Sequence, residues 1–121
     1  MNYKTALLLT CVLSFGGHAY AGDTTSASDL GYSAIQQGDW ADAEVQLRAE
    51  LKSNPNDPMR MLNLAYVLQN QGRAEEAASL YQSVLELDQD PLVAVGSDSK
   101  PRPMRAKLVA KKAMNTLDSD L

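Results

Sequence analysis

Residues 24–57 read TTSASDLGYSAIQQGDWADAEVQLRAELKSNPND, and residues 58–91 read PMRMLNLAYVLQNQGRAEEAASLYQSVLELDQDP. Set one above the other at an offset of 34 residues, the two stretches agree where structure is most demanding. Leu30 falls on Leu64, Gln37-Gly38 on Gln71-Gly72, Ala43 on Ala77 and Leu51 on Leu85. Small Gly31 falls on Ala65, and Leu47 on Tyr81. Each Gln-Gly pair lies between two amphipathic segments, where a helix must end on a residue with positive φ, the conformation glycine adopts without penalty. Ala43 and Ala77 fall early in the second segment of each copy, where only a small side chain lets two helices approach closely.

Working outward, the spacing predicts four helices. The first runs from about Ser28 to Gln37, capped by Ser26 or Ser28. The second runs from Trp40 to Ser53 behind Asp39, with Trp40, Ala43, Leu47 and Leu51 on one stripe. Asn54-Pro55-Asn56-Asp57 breaks the chain, and Asp57 followed by Pro58 opens the third helix in a favoured cap-plus-proline pairing. That helix reaches about Asn70, with Met61, Leu64, Ala65 and Leu68 inward. The fourth runs from about Arg73 to Leu87 on Ala74, Ala77, Tyr81, Val84 and Leu85. No segment alternates with period two over a strand's length, so no sheet is expected.

The spacing and these residues resemble the tetratricopeptide repeat, a pair of helices with a 34-residue period. The first copy carries Leu30-Gly31, Gly38-Asp39-Trp40, Ala43, Leu47 and Pro55; the second carries Leu64-Ala65, Gly72, Ala77, Tyr81 and Leu85. It departs at Glu50 and, more mildly, Val84, where the family uses a small residue, and at Gln89, where it uses proline and this chain has Pro91 two residues later. The resemblance implies an all-α fold: two helix-turn-helix repeats forming a short α-solenoid, plus a C-terminal capping helix. It also implies a concave surface, lined by the first helix of each pair, that holds a segment of a partner protein. Carried over by register, the lining positions are Tyr32, Ile35 and Gln36 in the first copy and Met59, Leu62, Tyr66, Gln69 and Asn70 in the second. Some members grip a terminal carboxylate with lysine, arginine and asparagine. Here Tyr32 and Tyr66 stand where that clamp uses asparagine, and Arg60 is the nearest base, so the clamp is not expected.

Residues 1–21 read as a secretory signal peptide: Lys4, then the apolar run Ala6 to Gly17, then Ala19-Tyr20-Ala21, with cleavage expected between Ala21 and Gly22. The apolar run is shorter than the ~20 residues a spanning helix needs. Cys11 and His18 lie inside this segment, so the chain from Gly22 onward has neither cysteine nor histidine. That removes disulfides, thiol and imidazole catalysis, cysteine/histidine zinc sites and haem attachment. Glu75-Glu76 and Glu86, Asp88, Asp90 read as solvated helix ends rather than acid/base pairs or a calcium loop. No catalytic residue, metal or cofactor is expected. Residues 24–91 carry 11 acids against 4 bases, which disfavours nucleic acid as a partner.

Residues 92–103, LVAVGSDSKPRP, predict a linker, within which Leu92 to Val95 either packs on the fourth helix or forms a short extended piece. Residues 104–117 predict a basic amphipathic helix with Ala106, Val109, Ala110, Ala113, Met114 and Leu117 on one side. Arg105, Lys107, Lys111 and Lys112 lie on the others. It reads first as a cap over the end of the repeat array; the second reading is contact with an anionic membrane or an acidic partner. Because two repeats are fewer than independent stability usually needs, modest stability or a homodimer is expected. The functional expectation is a non-enzymatic adaptor of the bacterial periplasm or secreted space. The alternative is a structural subunit that self-associates or docks on a larger secretion or pilus assembly.

Overall fold

The computed structural model describes residues 12–13, 28–95 and 102–119. The described residues form five helices: α1 (Ser28–Gln37), α2 (Trp40–Ser53), α3 (Pro58–Asn70), α4 (Ala74–Glu86) and α5 (Ala106–Ser119). They also form three short strands, β1 (Val12–Leu13), β2 (Leu92–Val95) and β3 (Arg102–Arg105).

The helix boundaries have local causes. The Asp39 carboxylate accepts from the Asp42 N–H at 3.2 Å, capping α2. Asp57 accepts from the N–H groups of Met59 (2.9 Å) and Arg60 (3.2 Å), while Pro58 fills the first turn of α3, where its missing N–H is no loss. The two helix pairs turn by the same device. The Asp39 N–H donates to the Ala34 carbonyl and the Gly38 N–H to Ile35; 34 residues on, Arg73 donates to Leu68 and Gly72 to Gln69. This six-to-one closure demands positive φ at the glycine, and Gly38 and Gly72 sit at +73° and +79°.

Packing follows the repeat. Ala43, Ala65, Ala77 and Tyr81 are completely buried, with Leu47, Leu62, Leu64, Val67, Leu68 and Val84 around them. Gly31 is small for a visible reason: a Cβ there would stand 3.2 Å from Leu47 Cγ. α3 packs on α2, and α5 packs on α4 and touches α3, so α5 takes the place that the first helix of a further pair would occupy. Its Ala106, Val109, Ala110, Ala113 and Leu117 are buried, giving the capping helix expected from their helical spacing, with Met114 half-buried at its margin.

The expectation of no sheet is overturned. β2 and β3 form an antiparallel ladder, Leu92 opposite Arg105 through Val95 opposite Arg102, and β1 adds to the other edge of β2 with Val12 opposite Val95 and Leu13 opposite Ala94. The strands occupy both ends of the predicted linker, and Leu92 to Val95 takes the extended form. The C-terminal helix starts at Ala106 rather than residue 104, because Met104 and Arg105 belong to β3. The Asp90 carboxylate then accepts from the Lys107 N–H at 3.0 Å and serves as its cap from a distance in sequence. A third repeat would begin at residue 92, 34 residues after Pro58; the sheet delays the next helix to Ala106.

Candidate functional site

α1 and α3 are equivalent helices, and they carry the predicted lining. The structure divides that set. Ile35 and Leu62 are 4 % and 1 % exposed in the full chain and lie in its core. The register rule places a residue on a side of the helix; it does not say what else packs there.

The other six remain at or near the surface. Tyr32 is half-buried, and its hydroxyl accepts from the Gln36 side-chain amide at 2.7 Å. Tyr66 is half-buried and meets Trp40 edge to face, ring centroids 5.9 Å apart at 78°. One turn further on, the Asn70 amide donates to the Tyr66 carbonyl at 2.8 Å. Each repeat thus sets a tyrosine and, four residues later, an amide in local contact with it. Gln69 turns toward α4, accepting from the buried Tyr81 hydroxyl at 3.2 Å. Burial holds the Tyr81 phenol well above its ordinary value of 10, so it stays a neutral donor. Met59 packs against the core and also lines the cavity described next.

That cavity, about 410 Å³, opens between the end of α2, the α2–α3 turn, the start of α3 and the segment after α4. Among its lining residues are Glu50, Asn54, Asp57, Met59, Arg60, Asn63 and Gln89, which the sequence reading did not gather. Arg60 Nε lies 2.7 Å from Glu50 Oε2, and its Nη1 pairs with Asp57. Burial alone would lower the Arg60 pKa, but the Glu50 hydrogen bond and both carboxylates outweigh it and hold the pKa above the ordinary value. With two carboxylates on it, Arg60 is no free cation for a partner's terminal carboxylate, and the missing clamp has a structural counterpart. Asn63 is buried and the Glu50 side chain is 8 % exposed, and Glu50 Oε1 and Asn63 Oδ1 have no hydrogen-bond partner. The sequence did hold a signal: Glu50 stands where repeats of this type use a small residue, and Arg60 follows ten residues later.

Opposite this, α2 and α4 are joined by charge. Arg73 holds Glu44 at 2.9 Å and Glu76 at 2.7 Å, and Arg48 reaches Glu44 at 2.8 Å and Glu76 at 3.5 Å. Burial pushes the Glu44 carboxyl up, but hydrogen bonds from Arg48, Arg73 and Gln71 win and hold it below its ordinary value. The network fastens the two repeats. It offers no pair of carboxylates with split acidities of the kind acid/base catalysis uses.

Among the described residues, no three metal-ligating side chains gather, and no helix is long and apolar enough to cross a membrane. Of the basic residues on α5 and before it, Arg105 donates to the Asp90 carbonyl at 2.8 Å, Lys107 is half-buried, and Lys111 and Lys112 are exposed. Ala21 and Gly22, the predicted cleavage pair, lie outside the described residues.

Two stacked helix pairs with matching glycine corners, closed by a fifth helix and presenting side chains from equivalent helices, define a helical-repeat scaffold. The tetratricopeptide repeat model matches residues 28–92, more than half of the chain, and the chain belongs to that family. Repeats of this family generally mediate protein–protein interaction and are typically non-enzymatic. Comparison with curated proteins and with solved structures gives no match.

Proposed function

We propose that this chain is a non-enzymatic adaptor of the bacterial periplasm or secreted space, exported by cleavage between Ala21 and Gly22, that holds a segment of a partner protein along α1 and α3. The observation that carries this reading is the repeated pairing of Tyr32 with Gln36 and of Tyr66 with Asn70 on equivalent helices. Half-buried tyrosines offer a rigid apolar face with a polar edge, the surface that protein recognition favours. Amides one turn away add donors and acceptors for a partner's backbone. Export is supported by the three-part N-terminal pattern.

The test replaces Tyr32 and Tyr66 together by alanine and compares affinity capture from native extract with the unmodified protein. The expected result is unchanged helicity with loss of at least one specific partner. Unchanged helicity with every partner retained sinks the groove assignment. Light scattering on the purified protein addresses the second reading, self-association. Mass measurement of the exported product addresses cleavage.

A further inference from the structure

β2 lies between β3 on one edge and β1 on the other. Which backbone groups of β2 face outward follows from the ladder with β3. The Ala106 N–H donates to the Pro91 carbonyl at 2.9 Å, in register with the four pairs of that ladder. Hydrogen-bonded and non-hydrogen-bonded pairs alternate in an antiparallel ladder. Val93/Met104 and Val95/Arg102 are therefore the bonded pairs, while Leu92/Arg105 and Ala94/Pro103 are not. Pro103 fits this phase, since proline has no N–H to give. It follows that Leu92 and Ala94 turn their N–H and C=O groups to the opposite edge.

That edge is where β1 lies. Leu13 stands opposite Ala94, and β1 also runs alongside α3, the helix that carries Met59, Tyr66 and Asn70. Val12–Leu13 thus pair with the β2 edge and run alongside one of the two helices of the proposed groove. Among the described residues, β1 pairs with Ala94 and Val95, and Leu92 on the same edge is 62 % exposed.

We propose that the partner adds an extended, apolar, proline-free segment to this edge as an antiparallel strand, alongside α3, in the place that Val12–Leu13 hold in the uncleaved chain. The inference rests on the adaptor reading and on cleavage after Ala21. While Val12–Leu13 are attached, they occupy the site; their removal opens it. Backbone hydrogen bonds to Ala94 and Leu92 supply the register, and the exposed Leu92 supplies apolar contact. The occupant is a foreign strand rather than a second copy because the seat already accepts a segment that is neither β2 nor β3.

The test keeps the full chain. The probe is a fluorescein-labelled peptide of residues 7–16 with Cys11 replaced by serine, titrated by anisotropy against two proteins: the unmodified chain and Leu13→Pro, which cannot donate to Ala94. Leu13→Pro lies outside every helix, and circular dichroism checks that the body stays folded. The variant is expected to bind the probe at least about tenfold more tightly than the unmodified chain, because its edge is free. A probe N-methylated at the position of Leu13 should lose about tenfold on the variant, whereas one methylated at the position of Val12, whose N–H points away, should not. Equal binding by both proteins overturns the proposal, as does equal loss from the two methylated probes. A stable dimer of the variant that the probe fails to dissociate also overturns it, by making the occupant a second copy. None of these readouts depends on whether the cell cleaves the chain, which the mass of the exported product reports separately.

Discussion

Ala77→Leu tests the close approach of helices on which both the repeat and its groove depend. Ala77 is completely buried on α4, at the position equivalent to Ala43 on α2. Leucine adds three carbons where no space exists. Overpacking a dense core costs about 1–3 kcal/mol, and three added carbons belong at the upper end, about 3 kcal/mol. A helical body of this size starts from about 5 kcal/mol, so the variant remains folded at room temperature and its melt can be followed. With ~4–8 °C of Tm per kcal/mol, the expected fall is about 12–24 °C, read by ellipticity at 222 nm. Urea unfolding should give a lower midpoint with an unchanged slope. Ala49→Leu, at an exposed position on α2, is the control and should stay within about 0.5 kcal/mol of the unmodified protein. If Ala77→Leu melts within about 3 °C of the unmodified protein, the helices do not approach closely at that alanine and the reasoning from the repeat register fails.

Gly72→Ala meets no atom within 4 Å but forces a Cβ into φ +79°, so about 1–2 kcal/mol should be lost through conformation alone, measurable by urea unfolding. Asp57→Ala removes the cap of α3 and one partner of Arg60 together and should cost about 2 kcal/mol, whereas Asp57→Asn keeps the cap and should cost less. The folded-state pKa of Glu44 lies below its ordinary 4.5, so the stability it brings is fully present above that pH and fades as pH falls through the lowered value. Thermal melts between pH 6 and about 3 should therefore show a steeper acid loss for the unmodified protein than for Glu44→Gln; parallel curves would deny the link.

Why the helices could be read and the sheet could not is a matter of range. Asp39, Asp57, Pro58, Gly38 and Gly72 act on backbone within a turn of themselves, so their meaning is local and survives in one dimension. β2 has four residues, too few to display alternation, and its existence depends on β3, across the stretch containing Gly96, Pro101 and Pro103, which reads as a linker. The start of α5 shifted for the same reason: its cap, Asp90, lies 17 residues before Lys107. The predicted lining divides by burial. Tyr32, Gln36, Tyr66 and Asn70 hold surface positions, yet Ile35 and Leu62 do not, because a helix in a stacked array is covered on more than one side and periodicity cannot say which cover is present. The Glu50–Arg60 pair was written in the sequence only as a misfit, a carboxylate in a small residue's place, and the misfit acquires sense only beside the arginine that folding brings to it.

The position of α5 gives the molecule a direction. Because it lies on α4 where a further repeat would stack, that flank is closed to continuation. A neighbouring solenoid that extended the superhelix would have to join beyond α1.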